Sequence, residues 1–307
     1  MKFRALVALI CWVGVGALSA TDGSAQSRKK SQASVKIPIF AVLNGGTTVE
    51  PIGYINSKGQ MSGAVDGASE RPILNAFHKS YYAKGKVFPL IFGGAPVGTA
   101  TVVSADPSAE CSNFLGEVRT KTSRTPLKGN VMALATVAQV KTSRKSERRA
   151  PTVQERSEIE TLVRSEFAKQ GLSKDAVAKL KSHNLTVLDV DGDSNPEFVG
   201  SYWIDVSATK RGLLFFIASR NSDGKIVVGH SAYNAVDQAD TMSKDIKSVD
   251  EGVYHELLLD VFDVDGDGVA EVFTYTPSFE GAGFNVYKRS GKGWALHFEG
   301  SNYHCGY

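Results

Sequence analysis

Asp263-Val264-Asp265-Gly266-Asp267-Gly268-Val269-Ala270-Glu271 carries carboxylates at positions 1, 3, 5 and 9 of a nine-residue stretch, with apolar runs at 257–262 and 272–275 on either side. The same arrangement stands upstream as Asp189-Val190-Asp191-Gly192-Asp193-Ser194-Asn195-Pro196-Glu197, between apolar residues 185–188 and 198–203. Each acidic position is displaced by one interval, 263 − 189 = 74 and 271 − 197 = 74. Two acidic loops with matched apolar flanks constitute an internal repeat.

Outward from each loop the pattern predicts four strands. In the first copy they are 185–190, 197–204, 212–220 and 225–232, and in the second 255–264, 271–276, 283–288 and 294–299. Asn221-Ser222-Asp223-Gly224 and Ser290-Gly291-Lys292-Gly293 turn the last pair of each copy. The polar chain between the copies, 234–252, reads as a short helix or a long loop.

Alternate residues of a tight loop converge on one point. Three Asp side chains, a backbone carbonyl near position 7 (Asn195, Val269) and the Glu at position 9 supply about five to seven oxygens, near the six to eight that Ca2+ takes. Neither loop contains Cys or His, which argues against zinc and other softer metals. Mg2+ holds fewer protein ligands and more water. An EF-hand would close with Glu at position 12, where this chain has Gly200 and Thr274.

The spacing and the strand flanks resemble the calcium loops of FG-GAP and VCBS-type repeats, the blades of integrin-like β-propellers. The resemblance spans 185–307 and implies calcium ligation by Asp189, Asp191, Asp193 and Glu197, and by Asp263, Asp265, Asp267 and Glu271. Ser194 departs from the pattern, because glycine at that position takes positive φ without cost and serine does not. Two blades cannot close a ring of four or more. They must pack on each other, on the helical segment, or across a homodimer.

The remainder of the chain is read by composition. Residues 1–20 have a basic start, an apolar run and a small-residue end at Ala20, the layout of a secretory signal peptide. The run is shorter than the roughly 20 residues of a membrane span, so the expectation is a secreted, periplasmic or cell-surface protein without one. Residues 21–34 read as a flexible leader and 35–140 as a small β-rich domain. Within the latter, an Asn44-Gly45-Gly46 turn, candidate strands at Tyr81-Tyr82, 87–92, 99–103 and 131–140, and a short helix over 72–82 are expected. Phe92-Gly93-Gly94-Ala95 lacks the lysine and following helix of a phosphate loop and reads as a tight bend.

Residues 141–184 form a basic linker (141–149) and a helical segment. Thr152-Val153-Gln154-Glu155 is a capping box, Ile159, Leu162, Val163 and Phe167 recur at helical spacing, and Gly171 ends the helix. Ser173 caps a second helix expected to reach Ser182. The fold class is therefore mostly β, α+β overall, with a small N-terminal β domain, a helical connector and a C-terminal pair of four-stranded, blade-like antiparallel repeats.

Removing Lys2 and Arg4 with the signal takes the net charge of +3 to 3 − 2 = +1, which gives no field for nucleic acid. Cys11 departs with the signal, and Cys111 and Cys305 form an even pair in an oxidising compartment, the setting of a disulfide. The six histidines stand singly, and neither a Gly-x-Ser-x-Gly elbow nor a His-Glu-x-x-His motif is present. An exported calcium-binding repeat protein with a structural role, or one engaging an extracellular protein or glycan, fits these features and no catalytic motif does. The alternative is a secreted metal-dependent hydrolase that uses the acidic clusters. Tyr202, Trp203, Tyr275, Phe279 and Phe284 lie near the loops and either face a partner or fill the core.

Overall fold

A computed structural model describes residues 36–123, 127–137 and 147–305. The expected signal peptide, the leader and residues 141–146 of the basic linker lie outside the described residues.

The first β-unit begins with the hairpin of β1 (Ile37–Leu43) and β2 (Thr48–Ile55), whose turn carries positive φ at Asn44, Gly45 and Gly46. β3 (Met61–Gly63), α1 (Arg71–Tyr81), β4 (Val87–Phe92), β5 (Ala95–Ser104), β6 (Gly116–Thr122) and β7 (Ala133–Thr136) follow. The strand order is β1-β7-β4-β5-β6-β2-β3, and β1 also pairs with β2. Six strands thus close on themselves into a barrel, with β3 appended to β2. Closure removes the exposed edges that β1 and β2 would otherwise present. Phe40, Leu74, Phe77, Phe88 and Phe114 fill the interior, with α1 contributing Leu74 and Phe77. Tyr81 and Tyr82 do not form the expected strand. Tyr81 ends α1 and the N–H of Tyr82 donates to the His78 carbonyl at 2.8 Å, because the Leu74-Phe77-Tyr81 stripe keeps the helix packed through its last turn. β3 and β6 were not anticipated by the pattern. β6 alternates buried Gly116 and Val118 with exposed Glu117, Arg119 and Lys121, and its polar face hides it.

The helical segment is α2 (Val153–Lys169) and α3 (Lys174–Ala178). The capping box forms: Thr152 Oγ1 accepts from the Glu155 N–H at 3.2 Å and Glu155 Oε2 accepts from the Thr152 N–H at 2.8 Å. α3 stops at Ala178, short of the expected Ser182, because the chain from Lys181 is claimed by a strand ladder.

Two antiparallel four-stranded meanders complete the chain. The first comprises β8 (Lys181–Leu188), β9 (Glu197–Asp205), β10 (Lys210–Arg220) and β11 (Ile226–Asp237). The second comprises β12 (Leu257–Phe262), β13 (Glu271–Pro277), β14 (Gly281–Ser290) and β15 (Gly293–Tyr303). A short helix, α4 (Lys247–Asp250), lies between them.

Side-chain alternation along the strands sets the order of the layers. Phe198, Tyr202, Leu214 and Phe216 of the first meander pack on Ile159, Val163 and Phe167 of α2. Its opposite face, with Val199, Phe215 and Ile217, packs on Leu258, Val261 and Val272 of the second meander. Phe273, one residue on from Val272, points the other way, with Leu259, Phe284 and Val286, against Ile39, Ala41, Ile52 and Leu134 on the barrel wall. The layers therefore run helices, first meander, second meander, barrel, and the second meander is buried on both faces. Of the aromatics near the acidic loops, Tyr202, Trp203 and Phe284 are core residues, and Tyr275 and Phe279 are half-buried.

Arg148 belongs to this core, and Arg149, though exposed, is tied to it by backbone and side chain, so neither is part of a solvated linker. Arg149 exchanges both backbone hydrogen bonds with Val187 at 2.9 Å, and its guanidinium grips Glu155 at 2.7 Å. Arg148 lies between barrel and second meander, over the Phe92 ring, where it donates to the Met132 and Leu259 carbonyls and meets Asp260 at 3.4 Å. Asp260 is fully buried, accepts the Gly93 N–H at 3.0 Å, and is pushed up to about 6 by burial against the lowering effect of Arg148. Gly93 thus serves the expected tight bend between β4 and β5 and also ties it to β12.

Cys111 and Cys305 form a disulfide with Cα atoms 5.5 Å apart. Beside it Glu50 accepts from Asn302 Nδ2 at 2.9 Å and pairs with His304 Nε2 at 2.8 Å, so the end of β15 is fastened to the barrel twice. Among the described residues no helix is long and apolar enough to cross a membrane.

Candidate metal centres in the repeat loops

The two acidic loops join the first two strands of each meander, β8 to β9 and β12 to β13. The bonds from backbone N–H groups to carboxylates inside them correspond one for one. In the first, Asp189 Oδ1 accepts from the Gly192 N–H at 2.7 Å and Oδ2 from the Ser194 N–H at 3.1 Å. In the second, Asp263 accepts from the Gly266 and Gly268 N–H groups at 2.7 and 3.0 Å. Asp193 and Asp267 each bond the N–H two residues on, to Asn195 at 2.7 Å and to Val269 at 2.9 Å. Glu197 and Glu271 reach back to the N–H of Val190 and Val264 at 3.0 and 2.9 Å. A backbone bond from Ala270 N–H to the Val190 carbonyl at 2.9 Å joins the two loops directly.

This wrapping demands positive φ at positions 4 and 6. Gly192 and Gly266 supply it at position 4, and Gly268 supplies it at position 6 of the second loop with φ 92°. Ser194 occupies that place in the first loop with φ 70°, a left-handed conformation costing a non-glycine residue on the order of 1–2 kcal/mol.

The folding brings carboxylate oxygens of Asp189, Asp191 and Glu197 within 4.8 Å of one another, and likewise those of Asp263, Asp265 and Asp267. Asp193 and Glu271 lie outside these two tight groups. The donors are all hard oxygens, so each set fits Ca2+ or Mg2+ in chemistry. The roles expected for Asn195 and Val269 rest on their carbonyls. Their N–H groups are those that Asp193 and Asp267 hold.

Two residues at the sites escaped the sequence pattern. Lys288 Nζ enters the second loop and contacts Asp265, with Asp267 at 2.9 Å and Glu271 at 3.3 Å. Arg289, the next residue along β14, points to the opposite face and reaches the first loop, 2.7 Å from Glu197 and 3.1 Å from Asp191. Adjacent residues of one strand thus serve different loops, the consequence of a side-chain period of two. A Lys-Arg pair near a strand end carries no signature of that division, and the first copy has no equivalent at 288 − 74 = 214, which is Leu214. Burial, aided by the charge of Asp191, pushes Glu197 up to about 7 against Arg289. Burial and Asp265 do the same to Glu271 against Lys288.

The barrel also leans on the second loop. Gly59, in the turn between β2 and β3, sits against Asp265 so closely that an added Cβ would fall 2.1 Å from the aspartate's own.

Comparison with family models, with curated proteins and with solved structures gave no match to this chain.

Proposed function

We propose that this is an exported calcium-binding β-repeat protein. The cation clamps the first hairpin of each meander, and the assembled stack serves a structural role or an extracellular interaction. The observation that carries the reading is the identity of the two loop networks at a constant interval of 74 residues, each converging three carboxylates on one place. The resemblance of the spacing to FG-GAP and VCBS loops supports it.

Sites of the extracellular kind bind at about 10⁻⁴–10⁻³ M. Calcium at ten times the dissociation constant stabilises by about 1.4 kcal/mol per site. Calorimetric melting in EGTA and in millimolar calcium tests the proposal. The expected result is a melting temperature that rises with calcium and goes on rising with the logarithm of its concentration above the dissociation constant. An unchanged melting temperature, together with no calcium in the purified protein, overturns it.

A further inference from the structure

A cleft of about 270 Å³ opens where three layers meet, away from both acidic loops. The barrel contributes Leu43, Asn44, Asn130 and Met132, β8 contributes His183, and the second meander with its leading segment contributes Glu251, Leu257 and Tyr275. Junctions of this kind between separate units are where small ligands bind.

The chain is held in unusual conformations on both sides of the cleft. Asn44 has φ 53° on one wall. On the other, Gly252 has φ 119° and the bulky Tyr254 has φ 68°. Asn44 and Gly252 are residue types that take this region readily, and only Tyr254, next to the lining residue Val253, bears a cost for it. His183 is the extra residue of a β-bulge, since Ser182 pairs with Tyr202 and Asn184 with Ser201. Bulges re-aim a side chain, and this one places the imidazole 4.3 Å from the ring of fully buried His255. His255 Nε2 engages the Val249 carbonyl at 2.9 Å, while its buried Nδ1 has no partner. Gly252 lets the segment close over His183, whose ring would lie 3.2 Å from an added Cβ.

The lining defines the ligand class. Leu43, Met132, Leu257 and Pro277 make an apolar wall, and Tyr275 adds an aromatic ring. Two carboxamides, an imidazole, a phenol and one carboxylate provide both donors and acceptors. No lysine or arginine lines the cleft among the described residues, and burial lowers His183, which leaves it neutral at neutral pH. An anionic ligand finds no counter-charge here. A pyranose ring has the matching duality, an apolar C–H face and a rim of hydroxyls that take planar amide and carboxylate partners.

We infer that this junction cleft binds a neutral sugar ring, its C–H face on the Leu257–Tyr275 side and its hydroxyls toward Asn44, Asn130, His183 and Glu251. The inference names a partner class for the interaction half of the proposed function and does not depend on calcium.

Saturation-transfer NMR on the full chain tests it, with methyl β-glucopyranoside, methyl β-galactopyranoside and N-acetylglucosamine as probes, in EGTA and again in calcium. Indole, an apolar probe of similar size, and inorganic phosphate, read by its own phosphorus signal, serve as comparisons. Transfer to at least one sugar in both media is expected, with a loss of fivefold or more in Asn130→Ala and in Leu257→Trp, which fills the cleft. If Leu257→Trp does not fold, His183→Ala takes its place with the same expected loss. The inference is overturned by absence of transfer to every sugar, by transfer undiminished in the variants, or by preferential binding of indole or phosphate. Sugar binding in EGTA, with no thermal response to calcium, would separate this inference from a failed calcium reading.

Discussion

Arg289 of the second meander lies 2.7 Å from Glu197 of the first, while Lys288 beside it turns back into its own meander's loop. One dipeptide therefore supplies the protein's own cations to both acidic loops, and the two loops are neutralised from a single strand.

Replacing Lys288 by Gln separates the roles of internal and external cation. In EGTA the variant is expected to lose about 1–2 kcal/mol, because Asp265, Asp267 and Glu271 then face one another without the ammonium. Calcium affinity of the second loop should rise about tenfold with the competitor gone. Isothermal titration calorimetry reads the second effect. Affinity that falls or stays level would show that Lys288 does not occupy the cation's place.

Ser194→Gly removes the left-handed strain while keeping the N–H that bonds Asp189. Part of the gain is offset by the greater freedom of glycine in the unfolded chain. The expected net is a stabilisation of about 0.5–1 kcal/mol in urea denaturation with EGTA, and tighter calcium binding at the first loop. A less stable variant contradicts the strain account.

Arg148→Met leaves Asp260 buried without its counter-ion and is expected to cost about 3–5 kcal/mol at pH 7. Adding Asp260→Asn should restore part of that loss, since the two side chains form one network. If the double variant is as unstable as the sum of the singles, the pair is not coupled.

Burial and the neighbouring His183 hold His255 down at about 4, against 6.5 for an unperturbed imidazole. The folded state keeps the ring neutral and the unfolded chain protonates it. This contribution is complete above pH 6.5 and is lost as the pH falls through 4. His255→Gln abolishes it, so the stability gap between wild type and variant should narrow by about 2–3 kcal/mol from pH 7 to pH 4.5. Urea midpoints at the two pH values measure the gap, and parallel curves would dismiss the assignment.

Reduction of Cys111–Cys305 reopens a sequence separation of 194 residues. The loop-entropy argument puts the loss on the order of 5 kcal/mol, about 10 °C or more in melting temperature. Cys111→Ser with Cys305→Ser should match the reduced wild type. A loss under about 1 kcal/mol would mean that the Glu50 contacts to Asn302 and His304 alone fasten the end of β15.

The sequence disclosed these meanders well because their signals are local and repeated. Acidic positions 1, 3, 5 and 9 mark the hairpin, and apolar runs mark β9, β10 and β13 around it. The capping box at Thr152 and Glu155 is equally local, and the disulfide followed from having only two cysteines beyond the leader. The barrel was less legible. Its closure through β1, β7 and β2 is a long-range pairing, and β6 is too polar to announce itself. Lys288 and Arg289 were invisible as site residues because their partners are set by which face of β14 meets which layer. Arg148 reads as one more charge in a basic run until Asp260, 112 residues later, is placed against it.

Four-stranded sheets stacked face to face need a cover at each end of the stack. Here the outward face of the first meander is taken by α2 and α3, and that of the second by the barrel. Among the described residues the stack is therefore covered at both ends, by helices on one side and by the barrel on the other. The two meanders thus find both of their outer covers inside one chain, in parts built unlike themselves.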